Sequence, residues 1–198
     1  MMFYDRTDKL LDALDEIVID RFDALKLKLG VPMDELNHLC DGLYDEMVKI
    51  ARESFSELAN AVYRDQGKAK PKPKYGVSLV EEILAGYDPV SKYVFTHEMD
   101  RRAARLFEAL MSSETPTAEV DTAKRSMALA YHIYAVRVTD EAAVRAMKDS
   151  GVKKVRWVAE DDTHTCKVCH KRDNNVYDID SIPPKPHINC RCWLVRVP

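Results

Sequence analysis

The stretch WVAEDDTHTCKVCHKRDNNVYDIDSIPPKPHINCRC, residues 157–192, decides how the chain is read. Cys166 and Cys169 form a Cys-x-x-Cys pair, His187 and Cys190 a His-x-x-Cys pair, and Cys192 follows two residues on. Seventeen residues separate Cys169 from His187, a spacing that suits two ligand pairs on facing turns around one tetrahedral zinc. Two ligands three residues apart both point inward when the backbone between them curls, so each pair supplies two corners of a tetrahedron. Thiolate sulfur and imidazole nitrogen are donors that borderline-soft zinc accepts. The expected ligands are Cys166, Cys169, His187 and Cys190. Residues two apart on a strand face the same side, so Cys192 is the alternative ligand, or else a small buried hydrophobe.

Other chemistries fit the stretch less well. A redox Cys-x-x-Cys usually opens a helix after a strand in a βαβ unit, and no such unit surrounds this pair. Simply reduced cysteines around a proline-shaped turn are the plain structural reading. His164, His170 and His187 with Asp161, Asp162 and Asn189 imitate a metal-dependent nuclease. Four protein ligands leave no open position for water, however, and no carboxylate pair serves a second metal. No enzymatic activity and no small-molecule substrate are expected.

Composition sets the outer bounds. The chain has 198 residues, 46% hydrophobic and 32% charged, an ordinary balance for a globular protein with a core. No apolar run is long enough to cross a bilayer, and the N-terminus lacks a basic-then-apolar signal pattern, so no membrane partner is expected. Four of the five cysteines crowd at one end, which fits a metal cluster made in a reducing compartment better than a disulfide framework. Cys40 stands alone on a helical pattern and is expected in the core. The net charge of −3 is uneven: −7 over residues 1–65, +1 over 66–150 and +3 over 151–198. The acidic part should avoid nucleic acid, and the basic end is compatible with phosphate nearby.

Upstream of the cysteines the pattern is helical. Leu11, Leu14, Val18, Phe22, Leu25 and Leu29 recur at steps of three and four, until Gly30, Val31 and Pro32 end the run. A second helix from about Met33 has its seam at Leu36, Cys40, Leu43, Met47, Ile50, Leu58 and Val62. Together they predict an N-terminal αα-hairpin over residues 1–66, either an arm on another subunit or a pair packed on the following helices. Residues 67–77 form a Lys/Pro linker in which prolines forbid a helix and lysines repel. Lys68, Lys70, Lys72 and Lys74 in it, with Lys153, Lys154 and Arg156 further on, are the candidate contacts to DNA.

Residues 78–198 form the next unit, with helices over 78–150 and a zinc-binding β module over 151–198. Ser78 with Glu81 has capping-box spacing, and Asp88 with Pro89 marks a further helix start. That helix carries Phe95, Met99, Ala103, Leu106 and Leu110. Thr117 caps the next, with Val120, Met127, Tyr131, Tyr134 and Val138 in register and Lys124 the exception. Thr139 or Asp140 is predicted to cap a separate short helix ending near Met147, closed by Gly151. His97 and His132 are packing or surface residues. After Gly151 the period becomes two. Val155, Trp157 and Ala159, then Val176, Tyr177 and Ile179, then Trp193, Val195 and Val197 predict three short strands. The fold class is mostly α with a small C-terminal antiparallel β element (α+β): a long N-terminal αα-hairpin, a helical middle and a zinc-ribbon-like end.

Trp157, Asp161 or Asp162, Cys166-x-x-Cys169, the strand around Tyr177 and Pro186-His187-Ile188-Asn189-Cys190-Arg191-Cys192 resemble the closing signature of the Mu F-like minor head proteins of tailed phages. Arg137, Thr139 and Glu141 occupy a looser version of that family's Arg-Thr-Glu motif. The resemblance covers roughly residues 90–198 and leaves residues 1–75 uncovered. It implies a structural, low-copy head component in the virion, at the portal vertex or capsid interior. Such a protein would pass through the host cytoplasm during assembly, with the portal protein or major capsid protein and packaged DNA as partners. Its implied roles are head assembly and DNA packaging or ejection. Some members carry a toxin domain after this part; here none is expected, since the chain stops at Pro198. The alternative is a zinc-ribbon nucleic-acid-binding module using Lys153, Lys154, Arg156, Lys167, Lys171, Arg172 and Arg191 against phosphate.

Overall fold

A computed structural model describes residues 32–67, 70–112, 114, 116–160, 162–188 and 190–198, with isolated positions 12, 16, 19, 20, 22 and 23 before them. The expected first helix of the N-terminal hairpin falls mostly outside the described residues. The isolated positions are helical, and Phe22 among them is buried.

The first long helix, α1 (Met33–Gln66), buries Cys40, Leu43, Met47, Ala51, Phe55, Leu58 and Val62. These positions recur every three or four residues and form one stripe. Here α1 packs along three later helices: α2 (Tyr75–Ala85), α3 (Phe95–Ser112) and α4 (Pro116–Asp149). All four contribute to one apolar core. Its centre is aromatic, with the Phe95 ring edge-on to Tyr131 at 5.9 Å and to Tyr134 at 4.6 Å, and Phe55 against Tyr131 at 5.9 Å. Edge-to-face rings of this kind add to their area burial. The Tyr131 hydroxyl donates to the Met47 carbonyl, which satisfies the one polar atom that the ring carries into the core.

Four helix boundaries differ from expectation, the smallest difference being at Pro116, where the helix of residues 116–149 begins with Thr117 already inside it. Helix α2 begins at Tyr75, not Ser78. The Tyr75 ring lies 4.4 Å from that of Tyr63, its N–H closes a turn onto the Lys72 carbonyl at 3.0 Å, and the Ser78 N–H already reaches the Lys74 carbonyl at 2.9 Å. Ser78 is thus inside the helix. Asp88 does not cap a helix from Pro89, because residues 87–94 form a hairpin of β1 (Tyr87–Asp88) and β2 (Tyr93–Val94). Its carboxylate accepts the Val90 N–H at 2.9 Å, and Lys92, at φ 62 to 64 like Lys74, completes the turn. Finally, α4 runs 34 residues without a break at Thr139 or Asp140. The Thr139 hydroxyl bonds back to the Ala135 carbonyl at 2.9 Å, the arrangement a threonine adopts inside a helix. Asp140 is engaged by Lys185 at 2.7 Å. Gly151, at φ 78, ends the run in the left-handed conformation that glycine adopts without strain.

Lys124, the charged exception on the α4 stripe, faces Asp23 at 3.7 Å. A second polar feature lies between α3 and α4. The Glu98 carboxylate is buried and receives hydrogen bonds from Arg101 at 2.7 Å and Arg102 at 2.7 Å. Arg102 continues to the Ser126 carbonyl and, at 2.6 Å, its hydroxyl. Burial alone would raise the Glu98 carboxyl, but the two guanidinium groups reverse the effect and hold it below its usual range.

Two predictions follow from this packing. A Cβ at Gly76 would stand 2.4 Å from the Ser56 carbonyl oxygen, where α2 crosses α1. Gly76→Ala should therefore cost roughly 1–3 kcal/mol in chemical denaturation, as overpacking against backbone does. Glu98→Ala leaves the half-buried Arg102 against Ser126 without its counter-ion and should cost about 2 kcal/mol, the size of hydrogen bonds to a charged group. Because the Glu98 carboxyl is depressed in the fold, its contribution is complete above the unfolded value of about 4.3 and disappears as pH falls through the lower folded value. Acid titration of stability should show that loss in the parent, and a smaller one in Glu98→Gln.

Candidate metal centre

Three strands follow α4: β3 (Lys154–Val158), β4 (Val176–Asp178) and β5 (Trp193–Arg196). They form an antiparallel sheet in the order β4-β3-β5, with Val155 opposite Tyr177 and Trp157 opposite Leu194. Alternation along β3 sends Val155 and Trp157 inward while Lys154 and Arg156 stay exposed. Val155 packs with Ile179 and with Met147 from the last turn of α4, so the sheet is seated on the helix. Further along the strand, Trp157 packs with Cys169, Cys190 and Cys192. The Arg172 guanidinium covers its ring at 5.1 Å and donates to the Pro184 carbonyl at 2.6 Å.

Local turns bring the donors together. Cys166 caps the short helix α5 (Lys167–Arg172), its sulfur accepting the Cys169 N–H at 3.4 Å. The Cys-x-x-Cys pair does open a helix, but beside an antiparallel sheet rather than within a βαβ unit. On the other side, Lys185 donates to the Cys190 carbonyl at 3.1 Å while its ammonium meets Asp140 of α4 at 2.7 Å. That bridge holds the His187–Cys192 segment against α4. The sequence around Lys185 carries one local signal of this role, its position between Pro184 and Pro186.

The donor atoms form two groups that share Cys169. Those of Cys166, Cys169 and His187 lie within 4.8 Å of one another, as do the sulfurs of Cys169, Cys190 and Cys192. The Cys169 and Cys190 sulfurs are 3.5 Å apart, close to the ~3.8 Å edge of a tetrahedron built from zinc–sulfur bonds of ~2.3 Å. All five sequence-proposed donors therefore converge, Cys192 among them. His187 adds a direct sign of fit. With Nδ1 donating to the Ile188 carbonyl at 2.8 Å, Nε2 presents its lone pair. That atom is buried and has no hydrogen-bond partner among the described residues. A metal ion would satisfy it, and the carbonyl fixes the ring orientation as second partners of ligating histidines do.

The thiols differ in electrostatics. The backbone N–H of Cys169 draws the Cys166 thiol down to about 7, toward the thiolate that binds metals. Burial pushes Cys169 and Cys190 the other way. Packed as neutral groups they would crowd sulfur on sulfur, whereas a divalent cation at their centre would favour thiolates.

Of the remaining candidates, His164 borders the same small cavity as the five donors. His164 and His170 are exposed, and Asp161 and Asn189 fall outside the described residues. Asp162 is held by Arg191 at 2.5 Å, which pins the turn before Cys166 to the turn after Cys190. Among the basic residues, Lys70, Lys72, Lys74, Lys153, Lys154 and Arg156 are exposed, and Lys68 lies outside the described residues. Arg172 and Arg191 are committed to Trp157 and Asp162.

Residues 94–195 match the family model described as Phage Mu protein F like protein. The match starts in β2 and ends in β5, so it contains α3, α4 and the whole cysteine module. No curated protein and no solved structure matches the chain. No helix among the described residues is long and apolar enough to cross a membrane. A helical platform carrying a cysteine-closed β module, matched over just over half of the chain, shows that the protein belongs to the Phage Mu protein F-like family of phage head morphogenesis proteins.

Proposed function

We propose that the chain is a structural minor head protein of a tailed phage, associated with the portal or the inner capsid surface and aiding head assembly and DNA packaging or ejection. The observation that supports this reading is the convergence of five metal donors within the family-matched segment, around a buried Trp157. One zinc ion closes the module, held by Cys166, Cys169, Cys190 and His187, with Cys192 as the alternative fourth ligand. Its role is structural. A three-stranded sheet with so few apolar residues has little core of its own, and four protein donors leave no position for water. The exposed Lys70, Lys72, Lys74, Lys153, Lys154 and Arg156 are the surface offered to packaged DNA.

Elemental mass spectrometry of the purified chain should find one zinc per chain, and Cys166→Ala/Cys169→Ala should lose it together with thermal stability. A metal-free parent with five titratable thiols would remove the zinc site. Of His187→Ala and Cys192→Ala, the variant that releases zinc faster to a chelator identifies the fourth ligand.

The head assignment is tested on particles of the phage that carries this chain. Proteomics of purified heads should detect it at low copy, and cross-linking should join it to the portal or major capsid protein. Its absence from purified heads would overturn the assignment.

A further inference from the structure

The two donor triads of the metal centre meet at one atom, the Cys169 sulfur, which belongs both to Cys166–Cys169–His187 and to Cys169–Cys190–Cys192. A tetrahedral zinc takes four ligands, so five convergent donors leave one in surplus. Cys169 enters any set, Cys166 accompanies it on the cap of α5, and the Cys190 sulfur lies 3.5 Å from it. His187 on the first triad and Cys192 on the second are left to compete for the last position. They are seated differently. Cys192 is 3% exposed, packs in the Trp157 cluster and leads directly into β5, where Trp193 pairs with Val158. His187 stands in a turn between Pro186 and Ile188, and its Nδ1 bond at 2.8 Å goes to the carbonyl of Ile188, a tie within the turn itself. Ile188 is 39% exposed, and a small cavity bordered by exposed His164 reaches the donors.

We infer that His187 and Cys192 are interchangeable fourth ligands, so that the turn carrying His187 can leave the metal while Cys192 takes its place and the module stays closed. Zinc has no geometric preference from d-electrons and accepts three thiolates with an imidazole or four thiolates alike. The exchange adds one thiolate charge, and two cations stand near to moderate it: Lys185, on the Cys190 carbonyl at 3.1 Å, and Arg191, between Cys190 and Cys192 in the chain and on the wall of the small cavity. Lys185 also limits the movement. Its ammonium meets Asp140 of α4 at 2.7 Å, so the turn is anchored just before His187 and again at Cys190. The donor on the strand stays in place, and the donor in the turn is the one that leaves. The surface around Ile188 can then rearrange without loss of the metal or of the sheet. The inference rests on the zinc reading above and adds how the ligand set moves.

The test uses the full chain loaded with zinc and treated with diethyl pyrocarbonate, which modifies an imidazole nitrogen that no metal occupies, with exposed His164 as the internal control. Peptide mapping of the parent should find His187 modified while elemental analysis still finds one zinc per chain. In Cys192→Ala, where His187 alone can complete the set, His187 should react about tenfold more slowly, because only a small unliganded fraction is open to the reagent. Cobalt loading supplies the second readout. His187→Ala and Cys192→Ala should each keep one cobalt per chain, with sulfur-to-metal absorption about one third stronger in His187→Ala, in proportion to its thiolate count. The double variant should lose the metal. A parent in which His164 reacts and His187 does not fixes the imidazole on the metal and overturns the exchange. Metal loss in either single variant, or metal retained in the double variant, overturns it as well. In each of these cases the zinc site itself stands. A metal-free parent overturns the zinc reading and the exchange together.

Discussion

The continuity of α4 is the constraint on which the rest depends. Its first turns bury Val120 and Met127, its middle sets Tyr131 and Tyr134 against Phe55 and Phe95, and its last turn places Met147 under Val155 of the sheet. One rigid rod therefore enters two cores. A break at Thr139 would uncouple them, and the Thr139 hydroxyl bond to Ala135 shows how a residue with capping chemistry is absorbed into a helix when packing on both sides demands it.

The β module complements this rod. Its apolar contents are few: Val155 and Ile179 against α4, and Trp157 against the cysteines. Chain entropy weighs heavily on so small a unit, and two kinds of tie compensate. Polar ties fix the turns, Arg191 to Asp162 on one side and Lys185 to Asp140 on the other. The donor cluster closes the centre, where buried thiols and an unpartnered imidazole nitrogen form an arrangement completed by a cation.

Buried charge in the helical part follows the same logic of full satisfaction. Glu98 is enclosed by two arginines and through Arg102 reaches α4, so the pair costs little relative to breaking it. Arg137 is the counterexample. Its Nη1 faces the Asp88 carboxylate at 3.8 Å, an ion pair without a hydrogen bond.

The amino-acid sequence by itself determined much of this molecule. The three- and four-residue recurrence from Cys40 to Val62 and from Phe95 to Leu110 specified helix faces, because burial on one side of a helix imposes that period. The alternation at Val155 and Trp157 specified a strand, and the Cys-x-x-Cys and His-x-x-Cys spacings specified a donor cluster and carried the family resemblance. Tertiary structure decided what local chemistry leaves open. Asp88 closes a hairpin turn rather than a helix, and Ser78 lies inside a helix that the Tyr63–Tyr75 contact starts earlier. Thr139 and Asp140 were indistinguishable in sequence from a helix start, since their side chains serve a cap or an interior equally well and only Ala135 and Lys185 select between them. The roles of Lys185 and Glu98 were invisible for the same reason: each depends on a partner many residues away or one helical turn along, and nothing in a side chain's identity says which charge it will face once the chain has packed.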